Sequence, residues 1–169
     1  MTVDHTGVRE IKMAFPKFEG CKDAINNNDL DEAEACLGVI LPHDLRQHFL
    51  KYNGGWPASS CFPFHGEHFE VKQFYSIKHG LLTLERMYDP SGAETPAGLI
   101  PFACDSAGNE YCYSVVNPTM HSICIVDHED YQDPDQGVTI LAPSLQAFLE
   151  AFVPDPDYYD DEDEDDDEE

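Results

Sequence analysis

Three groups of side chains have residue types and spacings that chemistry can use. His65-Gly66-Glu67 matches the H-x-E half of a zinc deaminase, in which the histidine binds metal and the glutamate moves the proton. The other half of such a site, P-C-x-x-C, is absent, and no C-x-x-C occurs anywhere in the chain. The triplet reads better as a solvated turn. His121, Cys124 and His128 stand at H-x2-C-x3-H spacing, which could seed a metal site. Structural zinc ligands come in pairs on turns, whereas Cys124 lies inside the apolar run Ile123-Cys124-Ile125-Val126. A core thiol flanked by two surface histidines fits better. Cys104 and Cys112 flank the turn from Asp105 to Tyr111, and whether they face each other depends on a hairpin register that the sequence leaves open. No G-x-S-x-G, P-loop or Rossmann glycine pattern is present. Nothing in these patterns argues for an enzyme, a cofactor or a metal.

Other polar residues suit recognition better than catalysis. Asp105, Asn109 and Glu110 surround a hairpin tip and could present carboxylates to a partner. The same residue types also serve plain turn chemistry, Asp and Asn bonding their own backbone while Gly108 supplies a positive φ. Asp127, Glu129, Asp130, Asp133 and Asp135 crowd a second loop, from Asp127 to Gly137. Trp56 follows a glycine pair and reads either as a binding anchor or as a ring packed over the helix before it.

Charge narrows the class of partner. Asp plus Glu number 34 against 9 Lys plus Arg, a net charge of −25. Twelve of the acids lie in residues 155–169, and the rest of the chain still holds 22 acids against 9 bases, a net −13. Direct binding to nucleic acid needs basic surface to replace phosphate counterions, so it is disfavoured, as is an anionic membrane surface. A basic protein is the natural partner, because opposite charge steers encounter. No apolar run approaches the length of a membrane span. The start, MTVDHTGVREIKMAF, lacks the apolar stretch of a secretory signal. The six cysteines are therefore expected as reduced thiols in a cytoplasmic protein.

The elements that position these residues follow from periodicity. Residues 1–22 carry four of the basic residues (Arg9, Lys12, Lys17, Lys22); Ile11, Phe15 and Phe18 there fit either a loose helix or an extended arm. Asn26-Asn27-Asn28 forms a cap cluster, with Asp29 expected to cap a helix that runs to Leu37 and stops at Gly38. From Cys61 to Ile77 the pattern is strand-like, with a hairpin turn at His65-Gly66-Glu67-His68. Gly80 to Tyr88 shows helical spacing through Leu81, Leu84 and Tyr88, and Asp89 to Gly98 reads as a surface loop. Leu99–Ala103 and Tyr111–Val115 are the arms of a hairpin, and Ile123–Val126 is a buried strand. Ser144 caps a last helix whose Leu145, Phe148, Leu149 and Phe152 share one face. The acidic end from residue 154 cannot bury apolar area and is expected to be disordered. Helices at both ends with strands between predict a single α+β domain.

The most specified stretch is residues 41–64, LPHDLRQHFLKYNGGWPASSCFPF. Pro42 stands where a first helical residue needs no N–H, and Leu41, Leu45, Phe49 and Tyr52 recur on one helical face. Asn53-Gly54-Gly55 is expected to stop that helix. This run resembles the leucine-proline, short helix, asparagine-glycine-glycine signature of the SUKH superfamily. A second match, LIPFACDSAGNEYCYSV at residues 99–115, resembles the family's strand-turn-strand element, with Pro101 and Phe102 in its first strand and Gly108 in its turn. The two motifs place a SUKH-like domain over residues 28–153, between an unassigned extension (1–27) and the acidic tail (154–169). The family contains bacterial toxin-immunity proteins and fungal cell-wall assembly regulators. The resemblance implies a mixed, mostly antiparallel sheet flanked by helices. It also implies a protein toxin as partner, often a nuclease, blocked by occlusion without chemistry. Its regulatory branch implies a scaffold that uses the acidic tail to bind several proteins.

Overall fold

A computed structural model describes residues 16–156. Ile11, Phe15 and the acidic tail from residue 157 lie outside the described residues, as does the disorder expected of that tail.

The chain enters through β1 (Phe18–Glu19), which pairs with β2 (Trp56–Pro57). Helix α1 (Asn27–Leu37) follows, then α2 (His43–Lys51). Asn26, not Asp29, caps α1: its side chain accepts from the Asp29 N–H at 3.0 Å, and the Asp29 carboxylate returns to the Asn26 N–H at 3.0 Å. This reciprocal pair satisfies two donors that a helix start leaves open. Gly38 ends α1 in the left-handed conformation, as expected. Pro42 is the cap of α2 and not its first residue, and the helix ends through Tyr52 in an extended conformation, ahead of the glycines.

Asn53-Gly54-Gly55 does something other than stop a helix. The buried Asn53 side chain donates to the carbonyls of Asp23 (2.9 Å) and Ile77 (3.0 Å) and accepts from the Ile77 N–H (2.7 Å). One amide thus joins three distant segments by copying a backbone pairing. Gly55 sits at φ +85°, where a Cβ would come within 2.3 Å of the Glu19 carbonyl, so the close passage of β1 requires glycine there.

Strands β3 (Cys61–Phe64) and β4 (Glu67–Glu70) form a separate hairpin. Its turn is the two residues His65 and Gly66, both with positive φ, tighter than the four residues expected from sequence. Then comes an antiparallel sheet of five strands in chain order: β5 (Gln73–Phe74), β6 (Leu99–Cys104), β7 (Glu110–Ser114), β8 (Ile123–Val126) and β9 (Val138–Ala142). The helix expected over Gly80–Tyr88 is only the single turn α3 (Leu84–Met87). Leu81 is 80% exposed, and Ser76 holds both ends of the segment through Leu82 O and Leu84 N, which keeps the preceding residues in a loop. A one-turn helix, α4 (Pro134–Gly137), precedes β9, and α5 (Leu145–Glu150), capped by Ser144, closes the fold.

Successive strand residues point to opposite faces, and the two faces of the sheet differ. Ile100, Phe102, Tyr111, Tyr113, Ile123 and Ile125 face α1, α2 and α5, meeting Leu30, Leu45, Phe49 and Phe148 in the main core. Leu41 joins it, 2% exposed. Phe18 and Ile25, from the segment that sequence left unassigned, pack into the same core. His48 of α2 is 1% exposed among Phe18, Phe49, Tyr52 and Phe74. The opposite face holds a smaller apolar cluster of Leu99, Cys112, Cys124 and Val126, with Tyr131 and Val138 against it. This is the α+β domain expected, with helices over one face and loops over the other. Among the described residues no helix is long and apolar enough to cross a membrane.

Candidate functional site

The loop-covered face of the sheet carries the site. At its upper end the β6–β7 turn is built by Asp105, whose Oδ1 accepts from the N–H groups of Ala107 and Asn109, both at 2.9 Å. Its Oδ2 accepts from the Asn109 side-chain amide at 2.8 Å. Gly108 takes φ +98° inside the turn. With its NH2 fixed on Asp105, Asn109 turns its Oδ1 toward the next loop, where it accepts from the His128 N–H (3.1 Å) and ring Nδ1 (2.9 Å). That contact engages the Nδ1 side of the ring, an amide oxygen being able only to accept. Turn chemistry and the acidic loop are therefore one assembly.

The acidic loop is closed at its base by the Asp127 N–H donating to the Gly137 carbonyl at 2.8 Å. Asp127 and Asp133 fold their carboxylates onto local N–H groups, those of Glu129 and Asp135. Glu129, Asp130 and Asp135 are exposed, and no hydrogen bond engages their carboxylates among the described residues. Three acids thus face solvent beside the hairpin tip.

Glu110 differs from all of these. It points to the loop-covered face beside Cys112, half-buried, and Tyr75 donates to its Oε1 (2.9 Å) while Thr95 donates to its Oε2 (2.8 Å). Burial raises its pKa; the two hydroxyl donors oppose that rise, and the like charge of Glu94 adds to it. Burial, reinforced by the Glu110 charge, pushes the Tyr75 phenol well above its ordinary value, so it remains a donor. Glu110 lines a pocket of about 360 Å³ together with Met87, Glu94, Val126, His128 and Tyr131. Arg86 and Gly108 line it as well.

The structure brings Asp105, Asn109, Glu110, Asp127, Glu129, Asp130, Asp133 and Asp135 to one end of the sheet. Trp56 is not among them. It lies on β2, beyond the β5 edge, and its ring covers Gly20, where a Cβ would come within 2.1 Å of it. It packs on the N-terminal segment and not over α2, and stays 42% exposed. Cys104 and Cys112 do not pair: Cys104 stands opposite Glu110, and Cys112 opposite Pro101 and Cys124. His121 precedes β8, Cys124 lies within it and His128 follows it. His121 Nδ1 meets the Tyr113 hydroxyl (3.0 Å), which also bonds Asp44, while Cys124 is buried and His128 belongs to the other end. No group of three or more His, Cys, Asp or Glu able to hold a metal occurs among the described residues. Phe102 is 1% exposed in β6, where the register shifts between Pro101 and Ala103.

Sequence reasoning missed Tyr75, Thr95, Glu94, Met87 and Tyr131. The first two are 35 and 15 residues from Glu110, too far for any local pattern to link them.

The family model of SMI1/KNR4 (SUKH-1) matches residues 24–151. The chain belongs to that family. Within it, the SUKH chain is 27% identical over 174 aligned residues to the SPbeta prophage-derived uncharacterized protein YokK of Bacillus subtilis (strain 168). That alignment covers 85% of this chain and 88% of the relative. The SUKH match takes in α1, α2, the Asn53 bracket, the whole five-stranded sheet and the acidic end.

Proposed function

We propose that this SUKH protein is a non-catalytic binding module, an immunity protein that captures a cognate protein toxin in the cytoplasm and occludes its active site. The observation that carries the reading is the convergence of the hairpin tip and the acidic loop on one end of an already acidic domain. A basic toxin, a nuclease being the natural case, would meet there a surface that resembles the phosphate charge it normally binds. Family membership and the prophage-derived relative support it. Glu129, Asp130 and Asp135 make the solvent-facing contacts in this reading, with Asp105, Asn109, Glu110, Asp127 and Asp133 shaping the surface around them.

A second reading is favoured by the run of acids in residues 155–169, which suits a regulatory scaffold with several weak partners. Affinity capture from the native host, with the full chain and with residues 154–169 removed, separates the two. A single basic protein held by both forms, lethal when expressed alone and harmless when co-expressed with this chain, supports immunity. Several partners lost with the tail would replace that reading with the scaffold.

A further inference from the structure

We propose that the pocket lined by Glu110 receives one basic side chain, a lysine or arginine, of the protein partner. The inference rests on the protein-binding reading above and adds the chemistry of its central contact. Glu110 is the reason. Its carboxylate has been drawn half out of water and given two hydroxyl donors, Tyr75 and Thr95, but no cation. Among the described residues no lysine, arginine or histidine nitrogen lies within 4.0 Å of it, the ion pairs being those of Lys17, Arg46 and Lys78 elsewhere. Desolvating a carboxylate without a counter-charge is costly, and an arriving cation recovers part of that cost. A folded domain that keeps such a group in the lining of an open pocket is preorganised for a cation.

The remaining walls specify the shape of the ligand. Glu94 adds a second negative charge to the lining. Met87, Val126 and the Tyr131 ring offer apolar wall. That combination suits an ammonium or guanidinium on a methylene stem, which buries its stem while its head meets charge, and a nearby ring adds cation–π attraction. Arg86 also lines the pocket, but it is exposed, makes no ion pair with Glu110, and donates its Nη1 toward the Leu81 carbonyl at 3.5 Å. An anionic ligand would face two carboxylates against the single guanidinium of Arg86, and a purely apolar one would leave Glu110 without a counter-charge.

The test uses the full-length protein and Nα-acetyl-lysine methylamide as probe, followed by amide chemical shifts at low salt. The expected result is saturable shifts at Glu110, Val126 and Tyr131, and much weaker ones for the Nε-acetylated, uncharged analogue. The arginine counterpart run in parallel decides which base the pocket prefers. Glu110→Gln, which keeps an acceptor for the hydroxyls but loses the charge, should weaken binding about tenfold or more, the loss of one charged hydrogen bond. Should that variant not fold, Met87→Trp crowds the pocket while leaving Glu110 in place and should weaken binding likewise. Equal shifts with the charged and neutral amides, or binding undiminished in the variants, would overturn the proposal. If the captured partner binds Glu110→Gln as well as the native chain, the pocket inference falls while the partner reading stands. If the lysine amide binds but capture finds no partner, the pocket stands and the partner reading falls.

Discussion

His48 makes the stability of this domain depend on pH in a way that can be worked from its surroundings. It lies 1% exposed on α2, ringed by Phe18, Phe49, Tyr52 and Phe74, and burial lowers its pKa from 6.5 to about 3. The unfolded chain takes up a proton at His48 as pH falls through 6.5, whereas the folded chain resists until about 3. The folded state is therefore undiminished above 6.5 and loses ground on acidification through that window. One pKa unit corresponds to about 1.4 kcal/mol, so His48 alone should cost about 2 kcal/mol by about pH 5. The perturbation is His48→Leu, which removes the titration and keeps the position apolar. Urea unfolding of both proteins, at neutral pH and near pH 5, is the assay. Carboxylates titrate in both proteins and cancel in the comparison. The native chain should lose about 2 kcal/mol more than the variant across that interval. Parallel losses would refute the reasoning and show that folded His48 accepts its proton at an ordinary pH.

Other perturbations have expected signs. Gly55→Ala meets the Glu19 carbonyl at 2.3 Å as well as an unfavourable φ, whereas Gly38→Ala meets nothing within 4 Å. The Gly38 variant should lose about 1 kcal/mol in chemical denaturation, from backbone strain alone, and the Gly55 variant distinctly more. Equal losses would show that β1 yields at no cost. Asn53→Ala removes three hydrogen bonds and strands the Ile77 N–H in the interior. A loss of about 3 kcal/mol is expected, with Asn53→Asp failing to restore it because two carbonyls face the lost amide hydrogens. Faster amide exchange at Ile77 in both variants would locate the damage.

What the sequence disclosed and what it hid divide along physical lines. Helix α2 and its apolar face were legible because Leu45 and Phe49 are close in sequence and share one helix face. Strands β6 and β8 were legible because nearly every residue in them is buried, which leaves an apolar run. Gly80–Tyr88 misled because helical spacing of leucines says nothing about the bonds from Ser76 that hold the segment in a loop. Asn53 looked like a stop signal, since its partners, Asp23 and Ile77, are 30 and 24 residues away. Glu110 was visible as an acid near a turn. Its burial was not, because the hydroxyls that hold it come from β5's continuation and from the loop before β6. Local patterns revealed the frame, and the polar contacts that span it emerged only in three dimensions.

The seal at the base of the acidic loop bears on what sequence change that stretch can tolerate. Val126 and Val138 stay in register, and the Asp127 to Gly137 bond ties off the ladder before the loop begins. Between those points His128 and Tyr131 reach back toward the sheet. The intervening residues form a cassette that mutation can rewrite in charge and length while the strands on either side keep their pairing. On the binding reading proposed above, much of the exposed charge thus lies on a stretch whose sequence can vary without unpairing β8 from β9.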